Sequence, residues 1–441
     1  MKRVLVLGAG LVAGPLVRYL LDADRFTVTV ASRTVEKARR LVGDAKNGEA
    51  LGLDVHDEAA LERLIADHDL SISLLPYVYH PLVARLCVKH GKDMVTTSYA
   101  KDDMRSLDGP ARDAGVILLN EIGVDPGIDH MSAMRVIDRI KGSGGRLVSF
   151  TSNTGGLPAP EANDNPFGYK FSWAPRGVLL AGKNPARYLK DGKVVDVPAS
   201  ELFAHHWTTK IEGFGELEVY PNRDSLPYIE SYGIESVRDM FRGTLRYPGW
   251  CDTLKAIVDL GLLDEEERDL SGLTLSQVTT RLIRSDGADL KGDLAEWLGL
   301  PVDSKELANL EWLGLLSDEP VPPGANSYLD LLASVMLSKM QYAPGERDML
   351  VMQHQFIVEY PDRSEEITAT LIEYGIPNGD TAMSRLVGLP AAVAAKLILL
   401  GEIDLTGVLI PTIPEIYDPV LDELERLGIA FNETRKRLPA Q

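Results

Sequence analysis

The sequence predicts an α/β fold whose N-terminal part is a doubly wound, mostly parallel sheet. Three observations predict it. The chain opens on "RVLVLGAGLVAGP", an apolar strand running into a glycine turn and a helix start. Residues 1 to about 124 then alternate short apolar runs with helical patterns, as parallel strands joined by helical crossovers do. At 441 residues, 45% hydrophobic and 25% charged, the chain has the composition of a globular protein and the length for two or three domains.

The elements follow in order. "RVLVLG" precedes a helix from about Pro15 to Ala23, and "TVTVAS" precedes one over Val35 to Leu41. "EALGLDV" leads to a helix over Glu58 to Ala66, and "LSISLLP" to one over His80 to His90. "DMVTTS" and "GVILLNEIG" are two further strands. In such a sheet ligands bind beyond the carboxyl ends of the strands. After Asp125 the pattern changes. "GRLVSFTSNTGG" and "LEVYPNRD" read as strands between long loops rich in glycine and proline. Residues from about 234 to 338 are helix-rich, through "CDTLKAIVDLGLLDEEE", "LSQVTTRLI", "DLAEWLGL" and "YLDLLASVMLSKM". "DMLVMQHQFIVEY" and "EEITATLIEYG" read as a strand pair, followed by a helix from about Asp380 to Leu400 and another near Pro419 to Leu427.

Several function classes are set aside. No run of about 18 apolar residues occurs, so no membrane span is expected. The apolar N-terminus is short and broken by glycine, a strand and turn rather than a signal peptide. A net charge of −19 argues against general binding to nucleic acid or anionic membranes. Two cysteines, Cys87 and Cys251, make no disulfide framework, and a reducing, cytoplasmic setting is the simplest reading. No His/Cys cluster has metal-ligand spacing, so no metal is expected.

The opening motif carries the first chemistry. Gly8, Gly10 and Ala13 supply G-x-G-x-x-A: Gly8 for the tight turn, Gly10 for backbone approach to a pyrophosphate, Ala13 for close packing of helix on strand. The helix N-terminus then turns its partial positive charge on the phosphates. An NAD enzyme carries an acid at the end of the second strand for the ribose hydroxyls. Here that strand ends in Ser32, Arg33 and Thr34, hydroxyls and a guanidinium suited to a 2′-phosphate, which predicts NADP(H) over NAD(H). The alternative is that Thr34 caps the next helix and Arg33 is a solvated surface residue. Asp54 either edges the adenine or caps a loop. Leu75, Pro76, Thr97 and Ser98 end the following strands and line the same cleft.

For a substrate site, three segments are dense in residues poor for packing alone: "NEIGVDPGIDH", "NTGGLPAPEANDNPFGYKFSWAPRG", and "YPNRDSLPYIESYG" with "RGTLRYPG". Arg223, Arg242 and Arg246 are either carboxylate clamps or ion-paired surface arginines. Trp173 and Tyr169 either wall a nicotinamide pocket or pack the core. His130 reads as a buried structural histidine.

These motifs give the chain a family resemblance. "GAGLVAGP", "ASRT", "SLLPYVYH", "VTTSY", "NEIGVDPGIDH", "GGLPAPEANDNPFGYKFSWAPRGVLL", "YPNRDSLPY" and "RGTLRYPG" resemble the NADP-dependent, L-glutamate-forming saccharopine dehydrogenases, also called saccharopine reductases. So do "QHQFIVE", "TAMSRLVGLPAA" and "GVLIPTIPEIYDPVL" further on, and the likeness runs over nearly the whole chain. It implies an oxidoreductase that condenses L-glutamate with L-2-aminoadipate 6-semialdehyde and reduces the imine with NADPH to saccharopine, reversibly, in lysine metabolism by the aminoadipate route. It implies NADP contacts at Gly10, Leu11, Val12, Ala13, Ser32 to Thr34, Asp54, Val55, Leu75, Thr97, Ser98, Val124, Asp125, Pro126 and Trp173. Saccharopine would be held by Ser98, Tyr99, Asp125, Arg223, Thr244, Leu245 and Arg246. Tyr99 and Asp125 are the candidates for acid/base work or for holding the substrate amine; against this, Asp125 could be a turn aspartate and Tyr99 a packed tyrosine.

The implied architecture is a Rossmann NADP-binding domain over 1–124, completed by about 395–441. A mixed α/β substrate and dimerisation domain over 125–235 and 339–394 follows, with an all-helical insertion over 236–338, in a homodimer. Where the resemblance carries a cysteine before Gly155, this chain has Thr154, whose hydroxyl can donate a hydrogen bond but is no thiol acid. Two other readings stay open: reduction of a related imine such as a carboxylated polyamine, which needs an acidic wall, and an NADP-binding sensor without catalysis.

Overall fold

The structure, a computed structural model, describes residues 1–173 and 175–439. Ala174, inside the glycine- and proline-rich segment quoted above, and Ala440 and Gln441, at the end of the expected Rossmann completion, lie outside the described residues. In chain order the strands are β1 (Lys2–Leu7), β2 (Phe26–Ser32), β3 (Gly48–Gly52), β4 (Leu70–Ser73), β5 (Asp93–Thr96), β6 (Ile117–Leu119), β7 (Arg146–Pro158) and β8 (Ala186–Lys190). There follow β9 (Lys193–Val197), β10 (Trp207–Ile211), β11 (Gly215–Pro221), β12 (Asp239–Arg246), β13 (Asp348–Tyr360), β14 (Arg363–Tyr374), β15 (Gly407–Leu409) and β16 (Asn432–Leu438). Two compact units result, Met1–Gly144 with Gly379–Phe431, and Gly145–Asn378 with Asn432–Gln441.

The first unit holds a wholly parallel sheet in the order β15-β6-β5-β4-β1-β2-β3. The chain starts in the middle and winds outward both ways, so the strand order reverses between β1 and β4. That is where the carboxyl ends of a doubly wound sheet open a crevice. Val4 to Leu7 are fully buried, as a strand covered on both faces requires. Gly8 ends β1 with φ +110, and a Cβ there would stand 3.0 Å from the Leu74 carbonyl oxygen. Only glycine tolerates both the backbone and the contact.

The helix Ala382–Leu400 lies in this unit, not in the second domain to which residues 339–394 were assigned. It is long and apolar enough to cross a membrane, with a mean hydropathy of 1.7, although Arg385 and Lys396 break its apolar run. Here 72% of that stretch is buried. It comes so close to the first helix, Ala13–Leu21, that a Cβ on Gly388 would fall 2.6 Å from the Val12 carbonyl. A polar cluster ties it to the helix Pro414–Arg426: Lys396 donates to Glu423 at 2.8 Å, and the Tyr19 hydroxyl donates to the same carboxylate at 2.5 Å. The helix Ile128–Gly142, for which the sequence reading had no element, is also in this unit.

The second unit is a nine-stranded sheet, β10-β11-β12-β7-β13-β14-β16, with β8 and β9 branching from β12. Only β12 and β7 pair in parallel on the main path. β16 closes one edge, so the last strand belongs to this unit rather than completing the Rossmann sheet. The helices over 250–339 do not form a separate domain. Leu254, Leu310 and Leu332 share one continuous core with Leu157, Val219 and Leu245 of the sheet.

The Lys396 cluster gives a pH signature. Hydrogen bonds from Lys396 and then Tyr19 hold the Glu423 carboxyl down to about 2. The unfolded chain protonates this group near 4.5, so the stabilisation is complete above that pH and is lost as pH falls through the window toward 2. Glu423→Gln should therefore lower Tm at neutral pH and flatten its fall between about pH 5 and 3. Equal slopes in calorimetry for variant and parent would contradict this.

Candidate active site

Gly8, Gly10, Ser32, Arg33, Thr34, Asp54, Val55 and Leu75 line one cleft at the carboxyl ends of β1 to β4. A Cβ on Gly10 would meet nothing within 4 Å, so the turn leaves open space above its backbone. Thr34 occupies the N-cap position of the helix Val35–Val42, yet its hydroxyl caps nothing. The capping alternative is therefore not what the fold uses. Arg33 is exposed and draws no ion pair among the described residues, while Ser32 Oγ accepts the Thr34 N–H at 3.4 Å. Lys37, which the sequence reading passed over, lines the same cleft one helical turn on; its signal was the i, i+4 spacing from Arg33. Asp54 accepts the His56 N–H at 3.0 Å, so it caps a loop and lines the cleft at once. It is the one acid among the described lining residues. Two cations without ion pairs among the described residues, the hydroxyls of Ser32 and Thr34 and no acid at the end of β2 fit a 2′-phosphate. Leu11 is 73% exposed and Ala13 fully buried, and neither they nor Val12 line this cleft.

A second group in the same unit follows β5 and β6. The Tyr99 hydroxyl donates to Asp125 Oδ1 at 3.4 Å. Asp125 sits in a tight turn with Val124 and Pro126. A Cβ on Gly127, at φ +145, would strike the Gly123 carbonyl oxygen at 2.1 Å, so the turn demands glycine. Thr97 stands beneath it, 3.1 Å from where a Cβ on Gly123 would lie. The Ser98 hydroxyl is 2.8 Å from His80 Nε2, whose Nδ1 is 2.9 Å from Ser73 Oγ. Burial pushes His80 down to about 4, so it is neutral near pH 7 and offers one donor and one acceptor. It thereby ties the Ser98 hydroxyl to the end of β4, a role the sequence reading did not see. His130 is fully buried, 2.9 Å from Glu121.

The second unit holds the rest. Arg246 is only 6% exposed. Its Nη1 donates to the Leu245 carbonyl at 2.7 Å, and its Nε is buried without a partner. The guanidinium carbon lies 5.0 Å from the Tyr169 ring centre and 5.4 Å from that of Trp250. Glu218 faces Arg246 across β11 and β12, but its carboxylate accepts the N–H groups of Gly249 and Cys251 at the start of the helix Trp250–Asp259. Arg246 thus makes no ion pair among the described residues. The indole N–H of Trp250, whose ring packs on Arg246, and Thr154 Oγ1 are also buried without hydrogen-bond partners among the described residues. Thr244 pairs with Thr154 on the same face. Alternation turns the Leu245 side chain into the core, and its carbonyl accepts from Arg246. Arg242 is buried against the Tyr228 ring at 4.4 Å. Arg223 is exposed, with φ +57. Trp173 is 37% exposed and rests on Gly177, where a Cβ would meet its ring at 2.6 Å.

The fold also gathers three groups far apart in sequence, which spacing rules cannot see. His206, Glu218 and Asp252 bring ligand-type atoms within 4.8 Å of one another. Glu218 is engaged by the helix N-terminus, whose partial positive charge opposes a cation there.

Comparison with known proteins gives a consistent picture. Residues 4–119 match the saccharopine dehydrogenase NADP binding domain, and residues 123–429 match the saccharopine dehydrogenase C-terminal domain. The chain is 42% identical over 446 residues, 98% of itself and 99% of the relative, to saccharopine dehydrogenase [NADP(+), L-glutamate-forming] of Schizosaccharomyces pombe. It is 42% identical to mitochondrial alpha-aminoadipic semialdehyde synthase of Mus musculus, matching 98% of this chain but 47% of that one. An apo saccharopine dehydrogenase (L-Glu forming) from Saccharomyces cerevisiae superposes with a TM-score of 0.91 at 40% identity, covering 99% of this chain and 100% of the other.

Arg33→Ala and Lys37→Ala should each weaken NADPH binding by roughly 10- to 100-fold, the loss of one charge-assisted phosphate contact, and leave NADH binding nearly unchanged. Fluorescence titration of both cofactors checks this. An equal loss for NADH would remove the 2′-phosphate from the account.

Proposed function

The chain belongs to the saccharopine dehydrogenase family, and from that premise we propose that it is an NADP(H)-dependent oxidoreductase that forms and cleaves saccharopine in lysine metabolism. The observation that carries the reading is Arg246. A buried guanidinium without an anion is costly unless a ligand supplies one, and saccharopine brings three carboxylates. An NADP-binding sensor has no use for such a group. A carboxylated polyamine calls for an acidic wall, whereas the rings on Arg246 are aromatic and Glu218 is occupied.

NADPH, when bound, supplies the hydride that reduces the imine carbon. The residues divide the remaining work. Gly8, Gly10, Ser32, Arg33, Thr34 and Lys37 bind the dinucleotide; Asp54, Val55, Leu75, Thr97, Val124 and Pro126 of the same unit complete its surroundings. Arg246, with Arg223 and Thr244, holds substrate carboxylates. Condensation of the glutamate amine with the semialdehyde aldehyde releases water, and reduction leaves a secondary amine that must gain a proton. Tyr99 and Asp125, hydrogen-bonded to each other at 3.4 Å, hold that nitrogen and pass a proton to or from it in this reading. Ser98, oriented by neutral His80, contributes a hydroxyl of fixed direction. Thr154 offers a hydroxyl for a hydrogen bond but cannot act as a thiol acid.

The same reading makes the enzyme a homodimer, with the second unit as the substrate and dimerising part, in the cytoplasm. Two buried free thiols, Cys87 and Cys251, suit a reducing compartment.

The test is oxidation of saccharopine with NADP+, followed at 340 nm, beside NAD+ and beside Arg246→Met. Turnover is expected with NADP+ and far less with NAD+. Arg246→Met should raise KM for saccharopine by about 30-fold or more, the cost of removing one partner of a buried charge contact, with KM for NADP+ little changed. Absence of turnover by a protein that binds NADP+ would overturn the assignment.

A further inference from the structure

Glu121 follows β6 with φ +57, a conformation that residues with side chains rarely adopt. Such a residue persists only where its surroundings over-determine it, and it points to a positioning task. Glu121 is 3% exposed, and three contacts hold it. Its N–H donates to the Ser98 carbonyl at 3.0 Å. Its Oε1 accepts the Ala100 N–H at 3.0 Å. Its Oε2 stands 2.9 Å from Nε2 of His130, which is fully buried in the first turn of the helix Ile128–Gly142. The first two contacts grip the residues on either side of Tyr99. The third anchors the grip to the helix that begins just after the Asp125 turn. The His130 ring is held in turn: its Nδ1 lies 3.6 Å from Asp129 Oδ2, and the Asp129 carboxylate takes the Gly127 N–H at 2.6 Å.

We propose that Glu121, backed by His130, is the positioning residue of the Tyr99–Asp125 pair. The inference rests on the reading of Tyr99 and Asp125 given above. The left-handed turn at Glu121 lets one side chain reach back to Ala100 while its own N–H holds Ser98, which fixes the backbone of Tyr99 on both sides. The carboxylate serves two donors facing different ways, Ala100 N–H and the imidazole edge. Glutamine keeps the acceptor for Ala100 and loses the second. Neither Glu121 nor His130 touches the substrate in this scheme; both act through Tyr99.

Glu121→Gly separates the side chain from the backbone, because glycine accepts φ +57 without strain. The variant should bind NADP+ and melt like the parent, keep KM for NADP+, and lose kcat for saccharopine by about 10²-fold, the scale of a misplaced catalytic group. Glu121→Gln should recover most of that loss, which a merely structural role would not predict. If the glycine variant does not fold, His130→Asn, which leaves the Ala100 bond in place, should show the same split with a smaller fall in kcat. Tyr99→Phe is measured alongside. A low kcat in Tyr99→Phe with a parental kcat in folded Glu121→Gly and His130→Asn overturns the positioning role alone. A parental kcat in Tyr99→Phe overturns the role and the acid/base reading beneath it.

Discussion

A guanidinium sits almost out of water with no ion pair among the described residues, and the functional account depends on that constraint. Desolvating a charge costs several kcal/mol even after relaxation, and a protein normally answers with a carboxylate. Around Arg246 the answer is withheld. The one facing carboxylate, Glu218, takes two N–H groups of a helix N-terminus instead. Two aromatic rings partly replace water by cation–π attraction. What remains is a buried guanidinium Nε and a buried indole N–H without partners among the described residues, and a substrate carboxylate is the group they suit.

The first unit solves the opposite problem. It must bind a polyanion in a chain of net charge −19. It does so locally: a glycine turn at the centre of the sheet, a helix start, two cations without ion pairs among the described residues, and a Thr34 hydroxyl that caps nothing. Beside it, polar side chains are fixed by buried partners rather than left mobile. Ser98 is tied to neutral His80, and the Tyr99 backbone to Glu121. Placement of these groups is thus a property of the packed sheet and its loops.

Much of the first sheet was legible because its physics is local. Apolar runs, a glycine turn and helical periodicity each fit in a dozen residues, and the cleft residues lie at strand ends that the pattern locates. What escaped depends on long-range pairing. "NETRKRL" reads as charged surface, yet it is the edge strand β16, where charge on the open side is expected. Its pairing with β14, 60 or more residues away in sequence, moves the last strand into the second unit. The helix Ile128–Gly142 was hidden by the Pro–Gly turn before it and by buried Asp129, His130 and Ser132 in its first turns. Arg246 was legible as an arginine but not as an unpaired one, since pairing is set by Glu218 on the neighbouring strand. The motif names Leu245 between Thr244 and Arg246, but a strand turns alternate side chains to opposite faces, so its side chain packs in the core and only its backbone stands beside Arg246.

The most direct test of the central claim is thermal melting of the parent and of Arg246→Met, each with NADPH, with and without saccharopine. NADPH cannot oxidise saccharopine, so the ligand stays intact. If Arg246 awaits a substrate carboxylate, the variant melts at or above the parent when saccharopine is absent, since an uncompensated buried charge has been removed. Saccharopine then raises the Tm of the parent and leaves that of the variant nearly unchanged. A variant that melts several degrees lower without ligand, and is stabilised by saccharopine as much as the parent is, would show that Arg246 serves the fold and not the substrate.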